Sequence, residues 1–347
     1  MHPLAFLLYP FALLFGGITR LRNFLYDQGV LKSHQSQTPS ILVGNLRVGG
    51  TGKTPMVEFL IRAFKDERKL ATLSRGYGRK TKGFLQALPD SSPSYIGDEP
   101  FQIFQKFGNE IKVFVGEDRI QAENVIHQLP ERPELLILDD AFQHRSFKAH
   151  FSILLSTWDD PFFKDYLMPM GRLRESRKGA KRADVVVISK SPERIETDQK
   201  NEIIREVRVY AGLEKPVLFS SIGYGDPVAI SEQSQFSKKV ILFSGIAQTD
   251  ILEDYCRKNF EVLNFHKFPD HYDYTEEDLA KLKRESESYP KGELVFLTTE
   301  KDGVKVKNLL PNGFLGEIPI FVLPIQVVFS PEDEQKLIDL IQQKVFT

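Results

Sequence analysis

Ser40 to Phe64 reads SILVGNLRVGGTGKTPMVEFLIRAF. The β-branched opening (Ile41, Leu42, Val43) predicts a buried strand, and the apolar spacing of Met56, Val57, Leu60, Ile61 and Phe64 predicts an amphipathic helix. Between them lies Gly49-Gly50-Thr51-Gly52-Lys53-Thr54-Pro55. Strand, glycine loop, Lys-Thr and helix in this order make a phosphate-binding loop. Glycines let successive N–H groups from Val48, Gly49, Gly50, Thr51 and Gly52 turn around an anion, and the helix N-terminus adds its positive end. Lys53 would reach the β- and γ-phosphates of ATP, and the Thr54 hydroxyl would hold Mg²⁺. Pro55 suits a first helical turn, where its missing N–H is no loss. One departure stands out: counted back from Gly52, the pattern G-x-x-x-x-G-K-[ST] asks for glycine at position 47, where Arg47 stands. The plain alternative, a glycine-rich turn that merely starts a helix, leaves the agreement of strand, Lys-Thr and helix unexplained.

The flanking chain is globular in composition. It has 347 residues, 41% hydrophobic and 27% charged, which leaves room for two domains. A net charge of −1 gives no global field for nucleic acid, so an anionic partner must be met by local clusters. The single cysteine, Cys256, excludes an internal disulfide, and no Cys/His set has zinc spacing. The fold class that follows is α/β, a P-loop NTPase-like, mainly parallel sheet domain plus a second, smaller α/β (Rossmann-like) domain, preceded by an N-terminal apolar helix.

That N-terminal stretch, LAFLLYPFALLFGGI at Leu4 to Ile18, carries no charge and is followed by Arg20 and Arg22. Its 15 residues are few for a bilayer span, Pro10 interrupts it, and it lacks the basic start and small-residue cleavage site of a signal peptide. Either it lies in the headgroup layer of an anionic membrane, with Phe6, Tyr9, Phe11 and Phe15 buried in lipid, or it packs on the protein's own core.

Beyond the phosphate loop, Leu70 to Ser74 reads as a strand running into Arg75-Gly76-Tyr77-Gly78-Arg79. That basic loop either closes over phosphates or substrate, or is a turn with solvated arginines. Asp98 and Glu99 precede Pro100 at a helix start; acids favour that position, and both could also face the nucleotide loop. Leu135 to Leu138 predicts a fully buried strand ending in Asp139-Asp140, followed by Gln143, His144 and Arg145. An acid at the C-terminal end of a neighbouring parallel strand is what a Mg²⁺ site over phosphates requires. Two adjacent buried carboxylates are costly without a cation, so the metal set reads Thr54, Asp139, Asp140 and Gln143. Pro169 to Arg182 concentrates Arg172, Arg174, Arg177, Lys178, Lys181 and Arg182 against Glu175. Such a run is usually a solvated face, but here it precedes a buried strand at Ala183 to Ser189, so an arginine could neutralise a transferring phosphoryl group.

The expected organisation is residues 1–30 as an interfacial segment, 31–215 as the kinase-like core, 216–238 as a linker and 239–347 as the second domain. In the last, His271 of Phe268-Pro-Asp-His-Tyr272 could orient a carboxylate base. Thr298, Glu300 and Lys301 follow a strand and suit either nucleotide recognition or a helix cap.

These blocks together resemble the tetraacyldisaccharide 4′-kinase family of Gram-negative bacteria. The resemblance rests on VGNLRVGGTGKTP (43–55), SRGYGR (74–79), GDEP (97–100), DDAFQH (139–144), PMGRLRES (169–176), FPDHYDY (268–274) and TTEKDGVK (298–305). It accounts for Arg47, since that family's loop also lacks the first glycine; Ala141 stands where the family has glycine. It implies two α/β domains with an active site between them, ATP and Mg²⁺, and transfer of the γ-phosphate to the 4′-hydroxyl of an acylated disaccharide 1-phosphate lipid. It implies a peripheral enzyme on the cytoplasmic face of the bacterial inner membrane; the chain itself is expected to be a monomer. By resemblance Asp98 is the general base with His271 beside it, and Lys53 and Arg174 act on the phosphoryl group. Asn45, Arg75, Tyr77, Arg119, Arg172 and Arg174 are the expected substrate contacts. The rival readings are a P-loop kinase of another small molecule and a membrane-associated nucleotide switch.

Overall fold

The computed structural model describes residues 8–230, 235–246, 249–270, 272–290, 292–307, 309 and 319–346. The chain forms two compact units, Met1–Ile222 with Val327–Thr347, and Gly223–Gln326. In the first lie α1 (Tyr9–Asp27), β1 (His34–Gln35), β2 (Ser40–Asn45), α2 (Lys53–Phe64), β3 (Leu70–Ser74), β4 (Leu85–Gln86), α3 (Pro93–Ile96) and α4 (Asp98–Phe107). They are followed by β5 (Lys112–Val115), α5 (Arg119–His127), β6 (Leu135–Asp139), β7 (Phe147–Lys148), β8 (Phe151–Thr157), β9 (Val185–Ser189), α6 (Thr197–Ala211) and β10 (Val217–Tyr224). The second unit carries β11 (Val228–Ala229), β12 (Lys239–Ser244), α7 (Asp250–Asn259), β13 (Glu261–Lys267), α8 (Glu276–Ser286), β14 (Leu294–Thr299), α9 (Glu300–Lys307) and β15 (Ile320–Leu323). The chain closes with β16 (Ile325–Phe329) and α10 (Pro331–Val345).

The first sheet runs β16-β10-β9-β8-β2-β6-β3-β5-β4. From β10 to β5 the neighbours pair in parallel, and β4 adds antiparallel to β5. Alternation along each strand divides the core between two faces, as a sheet covered on both sides requires. Ile41, Val43, Leu135 and Ile137 pack with α2, α4 and α10 through Met56, Leu60, Ile103, Leu337 and Ile341. Leu42, Leu136 and Leu138 pack with α5 and α6 through Ala122, Ile126 and Val207. The five residues predicted for the buried face of α2 are all buried. After β2 the chain moves to β3 on one flank, and it later places β8 on the other. This reversal opens a crevice at the strand C-termini, where doubly wound sheets bind ligands.

The smaller unit has its own five-stranded sheet, β11-β15-β14-β12-β13, parallel except for β11. Its two faces are filled by Ile241, Phe243 and Phe296 with α8, and by Leu242, Leu297 and Phe321 with α7.

Two boundaries differ from the sequence expectation. Residues 217–224, counted with the linker, form strand β10, which pairs in parallel with β9. Residues 327–347 return to the first unit, because Leu337, Ile341 and Val345 of α10 complete its core. Before helix α6, which starts at Thr197, the Ser191 N–H bonds the Ser220 carbonyl.

Helix α1 packs on the protein along one face and leaves the other bare. Ala12, Gly16 and Thr19 form a thin buried stripe, and a Cβ on Gly16 would stand 2.7 Å from Leu167 Cδ1. The opposite face is bare: Phe11, Leu14, Ile18 and Leu21 are 62%, 65%, 60% and 60% exposed. No helix among the described residues is long and apolar enough to cross a membrane.

The segment before β2 is pinned by a fully buried carboxylate. Glu123 on α5 accepts from Ser36 Oγ (2.6 Å), Gln37 N (2.9 Å) and Thr38 N (3.2 Å), and pairs with His34 Nε2 at 2.9 Å. Removing it orphans several buried donors at once. Glu123→Ala should therefore lower the stability of the first unit by about 3 kcal/mol, read as a shift of the urea midpoint at unchanged slope.

Candidate active site

The phosphate loop leaves β2 and is held from below. Asn45 Nδ2 donates to Thr51 Oγ1 (2.7 Å), and Ser189 Oγ at the end of β9 donates to the Thr51 carbonyl (2.8 Å). On its approach, Val48 N bonds the Arg172 carbonyl and Arg174 N bonds the Leu46 carbonyl. Gly49 and Gly52 have φ of 120° and 84°, which a side chain would resist. Arg47 needs no such freedom. Its buried guanidinium donates to Asp165 Oδ2 (2.9 Å) and to the Asp160 carbonyl (2.7 Å), so it braces the loop where the usual pattern has glycine. Val48, Gly49 and Gly50 face solvent while Thr51 is buried. The loop is thus fixed on one side and open on the other.

The acids that end β6 lie beside it. Asp140 turns out of the strand at φ 48°, an uncommon conformation that Asp tolerates better than most residues. Both of its carboxylate oxygens accept from Arg174 Nη1 (3.0 and 3.1 Å), and Lys53 Nζ stands 3.8 Å away. Asp139 is buried, and its Oδ1 has no hydrogen-bond partner among the described residues. Burial and the nearby Glu99 push its carboxyl up to about 7, against the pull of Lys53. Burial lowers the Arg119 guanidinium to about 10, with Asp139 opposing. Arg119 Nη1 donates to the Gly116 carbonyl and Nη2 reaches the Asp139 carbonyl at 3.4 Å. Glu99, at the start of α4, is raised by desolvation while Lys53 draws it down. Asp98 beside it is exposed at the same helix start. A Cβ on Gly97 would stand 2.9 Å from the Tyr77 carbonyl, so the Arg75–Arg79 loop packs directly against this turn. One crevice therefore gathers three carboxylates, a lysine and two arginines around an anion-binding loop.

Comparison with known proteins gives this crevice a family. The profile of the LpxK family, tetraacyldisaccharide-1-P 4′-kinase, matches residues 4–345. A tetraacyldisaccharide 4′-kinase of Flavobacterium psychrophilum is 39% identical over 344 residues, covering 96% of each chain. One from Cytophaga hutchinsonii is 38% identical, covering 99% of this chain and 96% of its own. The chain belongs to the tetraacyldisaccharide-1-P 4′-kinase family. The crystal structure of the "apo" form of LpxK from Aquifex aeolicus in complex with ATP superposes with a TM-score of 0.74, at 32% identity and 99% coverage of both chains.

Set against this kinase fold, the sequence-level site divides. Asn45, Lys53, Thr54, Asp98, Arg119, Asp139, Asp140 and Arg174 share the first unit with the phosphate loop. Arg75 and Tyr77 are exposed on the adjoining loop. Arg172 is largely exposed, 3.9 Å from Asp160. The basic run at 169–182 is not one patch. Arg177 bonds the Asp165 carbonyl and Tyr210 Oη, and Arg182 pairs with buried Glu175, which leaves Arg174 as its contribution to the crevice. Gln143, expected in the metal set, is engaged by the protein. Its Nε2 donates to the Asn45 carbonyl (2.7 Å) and Glu175 Oε1 (3.2 Å), and its Oε1 accepts from Arg174 (3.2 Å). Thr298 is buried, with its hydroxyl donating to the Phe243 carbonyl. In that smaller unit Glu300 accepts from Ile325 N, and Lys301 stands 3.3 Å from Asp270. His271 lies outside the described residues. Glu99 and Glu175 were legible only as neighbours of better signals; their spacing alone does not reveal that one faces Lys53 and the other anchors Gln143.

A divalent cation fits the acid end of this crevice. Asp139 offers an unpartnered, desolvated oxygen, a costly arrangement that a cation relieves. Among the described residues no group of three or more His, Cys, Asp or Glu could hold a metal. The fit is therefore to an ion that takes most of its ligands from phosphate and water, as Mg²⁺ does.

In metal-free protein Asp139 should leave a signature of its own. Its folded pKa of about 7 lies above the unfolded value of 3.8, so the folded state binds the extra proton between them. Stability should fall as pH rises through that window. Asp139→Asn should flatten the decline and be the more stable protein at pH 8, measured as Tm against pH in chelator.

Proposed function

We infer that this protein is an ATP-dependent lipid kinase that transfers the γ-phosphate of ATP to the 4′-hydroxyl of a tetraacyldisaccharide 1-phosphate. The observation that carries the reading is the buried, unpartnered Asp139 at the strand end beside an open phosphate loop, with Lys53 and Arg174 on its neighbour Asp140.

A sugar hydroxyl is a poor nucleophile, so acceleration comes mainly from positioning and charge neutralisation. The N–H groups of Val48 to Thr54 hold the phosphate tail. Lys53 spreads over the β- and γ-oxygens, and Arg174, already poised on Asp140, meets the charge on the moving phosphoryl group. Mg²⁺, held by Thr54 and Asp139 with Asp140 behind them, would neutralise the polyphosphate when bound. Asp98 is exposed at the mouth of the crevice, where an acceptor sugar can approach. It takes the hydroxyl proton as the new O–P bond forms and the bond to the departing ADP breaks. Arg119 is buried behind the strand end, so its charge acts on the acids and phosphates through its position rather than by reaching out.

The lipid reading also uses α1. Its bare apolar face suits the boundary of headgroups and acyl chains, and exposed Arg20 suits lipid phosphate. On this reading the enzyme is peripheral on an anionic membrane, the cytoplasmic face of the inner membrane for a substrate of this class.

The activity is tested by incubating pure protein with MgATP and the disaccharide 1-phosphate in detergent, then looking by mass spectrometry for one added phosphate at the 4′ position. Lys53→Ala should reduce turnover by about a thousandfold. Asp98→Ala should lower kcat by roughly a hundredfold with KM for lipid little changed. A near-normal kcat would remove Asp98 from the base role. Replacing Phe11, Leu14 and Ile18 by serine should weaken partitioning into anionic vesicles by about a hundredfold or more, scored by sedimentation. Equal partitioning would unseat α1 as the lipid contact.

A further inference from the structure

Lys53 and Thr54 open α2, and Asp98 and Glu99 open α4. The position of the acids over the phosphate loop therefore depends on how these two helices sit side by side. They share one apolar cluster, with Met56 and Leu60 from α2 and Ile103 and Phe107 from α4. Within that contact stands a buried charge. Glu58 of α2 is 1% exposed. Its Oε1 accepts from Lys106 Nζ (2.7 Å) and Gln102 Nε2 (3.2 Å), both of α4. Its Oε2 accepts from Lys106 Nζ (2.8 Å) and from Arg62 Nη2 (3.0 Å), one turn along its own helix. Arg62 in turn lies over the Phe107 ring, 5.4 Å from the centroid.

The spacing ties this cluster to the site. On α2, Thr54, Glu58 and Arg62 follow one another at four-residue intervals and form one stripe of the helix. On α4, Glu99, Gln102 and Lys106 do the same at intervals of three and four. The stripe that starts at Thr54 carries the carboxylate. The stripe that starts at Glu99 carries the amide and the ammonium that bind it.

Stability does not call for such a device. Apolar residues of similar volume hold a helix contact as well as a buried ion pair, or better. What the charges add is a register. Apolar side chains repack when one helix slides along another, while a carboxylate with donors at fixed places fits one position. A slip of one residue moves a helix by about 1.5 Å, and an error of about 1 Å at a reacting group can cost a hundredfold in rate.

We propose that Glu58 is a positioning residue for phosphoryl transfer: with Lys106 and Gln102 it fixes α4 along α2, and so sets Asp98 at its distance from the phosphates on the loop. The proposal rests on the reading of Asp98 as the base.

Steady-state kinetics with MgATP and the lipid in detergent, run beside urea unfolding, test it. Glu58→Met combined with Lys106→Met replaces the buried charges by side chains of similar volume. The urea midpoint should stay at or above the parent's, both KM values should stay within about twofold, and kcat should fall about tenfold. Lys106→Arg, which still offers the carboxylate two donors, should keep kcat within about threefold of the parent. Gln102→Leu, which leaves the ion pair intact, should lower kcat about threefold and serves if the double substitution does not fold. In an Asp98→Ala background the double substitution should cost no more than about twofold further, because the group it misplaces is already gone. Parental kcat in the double substitution, or in Gln102→Leu where that stands in, would reduce the cluster to packing and overturn the proposal. An undiminished tenfold loss in the Asp98→Ala background would also overturn it, as would a fall in kcat matched by a fall in urea midpoint. Near-normal kcat in Asp98→Ala alone is a separate result, read without any change at Glu58: it removes the base reading, and the proposal with it.

Discussion

Everything in the first unit is arranged around a carboxylate in the wrong place for a carboxylate. Asp139 ends a strand whose preceding four residues are fully buried, and its Oδ1 finds no donor. Isolated, such a charge would be expelled or neutralised, and the upward shift of its pKa registers that cost. The surroundings do not remove the cost. They bring Lys53, Arg119 and Glu99 near enough to tune it and leave room for an incoming cation with its phosphates. The constraint also explains why the loop is so heavily braced. An acid held in an unfavourable state works only if the phosphates arrive at a fixed place, and Asn45, Arg47 and Ser189 fix that place from three directions.

How much of this was legible in the sequence follows from the range of each interaction. The strand at 40–45, the glycine loop and α2 are local: β-branched residues, glycines at positive φ and a helical apolar period sit within 25 consecutive residues. The acid pair was legible for the same reason, as a fully apolar run stopped by two aspartates. Partnerships across long separations were not. That Gln143 would spend its amide on Asn45, Glu175 and Arg174 depends on where the chain returns thirty residues later. The basic run at 169–182 reads as one patch because sequence lists charges without their partners. The fold distributes them between Tyr210, Glu175 and the crevice.

The domain boundary was missed on different grounds. Strand β16 and helix α10 carry apolar patterns that would suit either unit, and nothing local says which core is incomplete without them. The first unit's is: Phe329, Leu337 and Ile341 cover the face of β2 and β8 that α2 and α4 leave open. Composition had marked 216–238 as linker for its glycine, proline and serine content. Val217 to Phe219 nevertheless pair with Val186 to Ile188, because this buried apolar run finds β9 in register on one side and is flanked by β16 on the other.

Helix α1 presents one face to the protein and leaves the other exposed. Its apolar residues cannot all be core, because a single helix touching one surface buries only a stripe, and here the stripe is made of small residues that let the backbone approach. The bulky residues are left facing out. The same helix is connected to the acids through hydrogen bonds. Asn23 donates to Glu175 Oε2, Glu175 Oε1 accepts from Gln143, Gln143 accepts from Arg174, and Arg174 grips Asp140. Such a chain acts as a switch only if some member has two arrangements of similar energy. Glu175 is fully buried and accepts four hydrogen bonds, two of them from Arg182, so it has no second arrangement to offer. The chain is therefore a brace. It holds α1, and with it the bare apolar face, at a constant reach from Asp140.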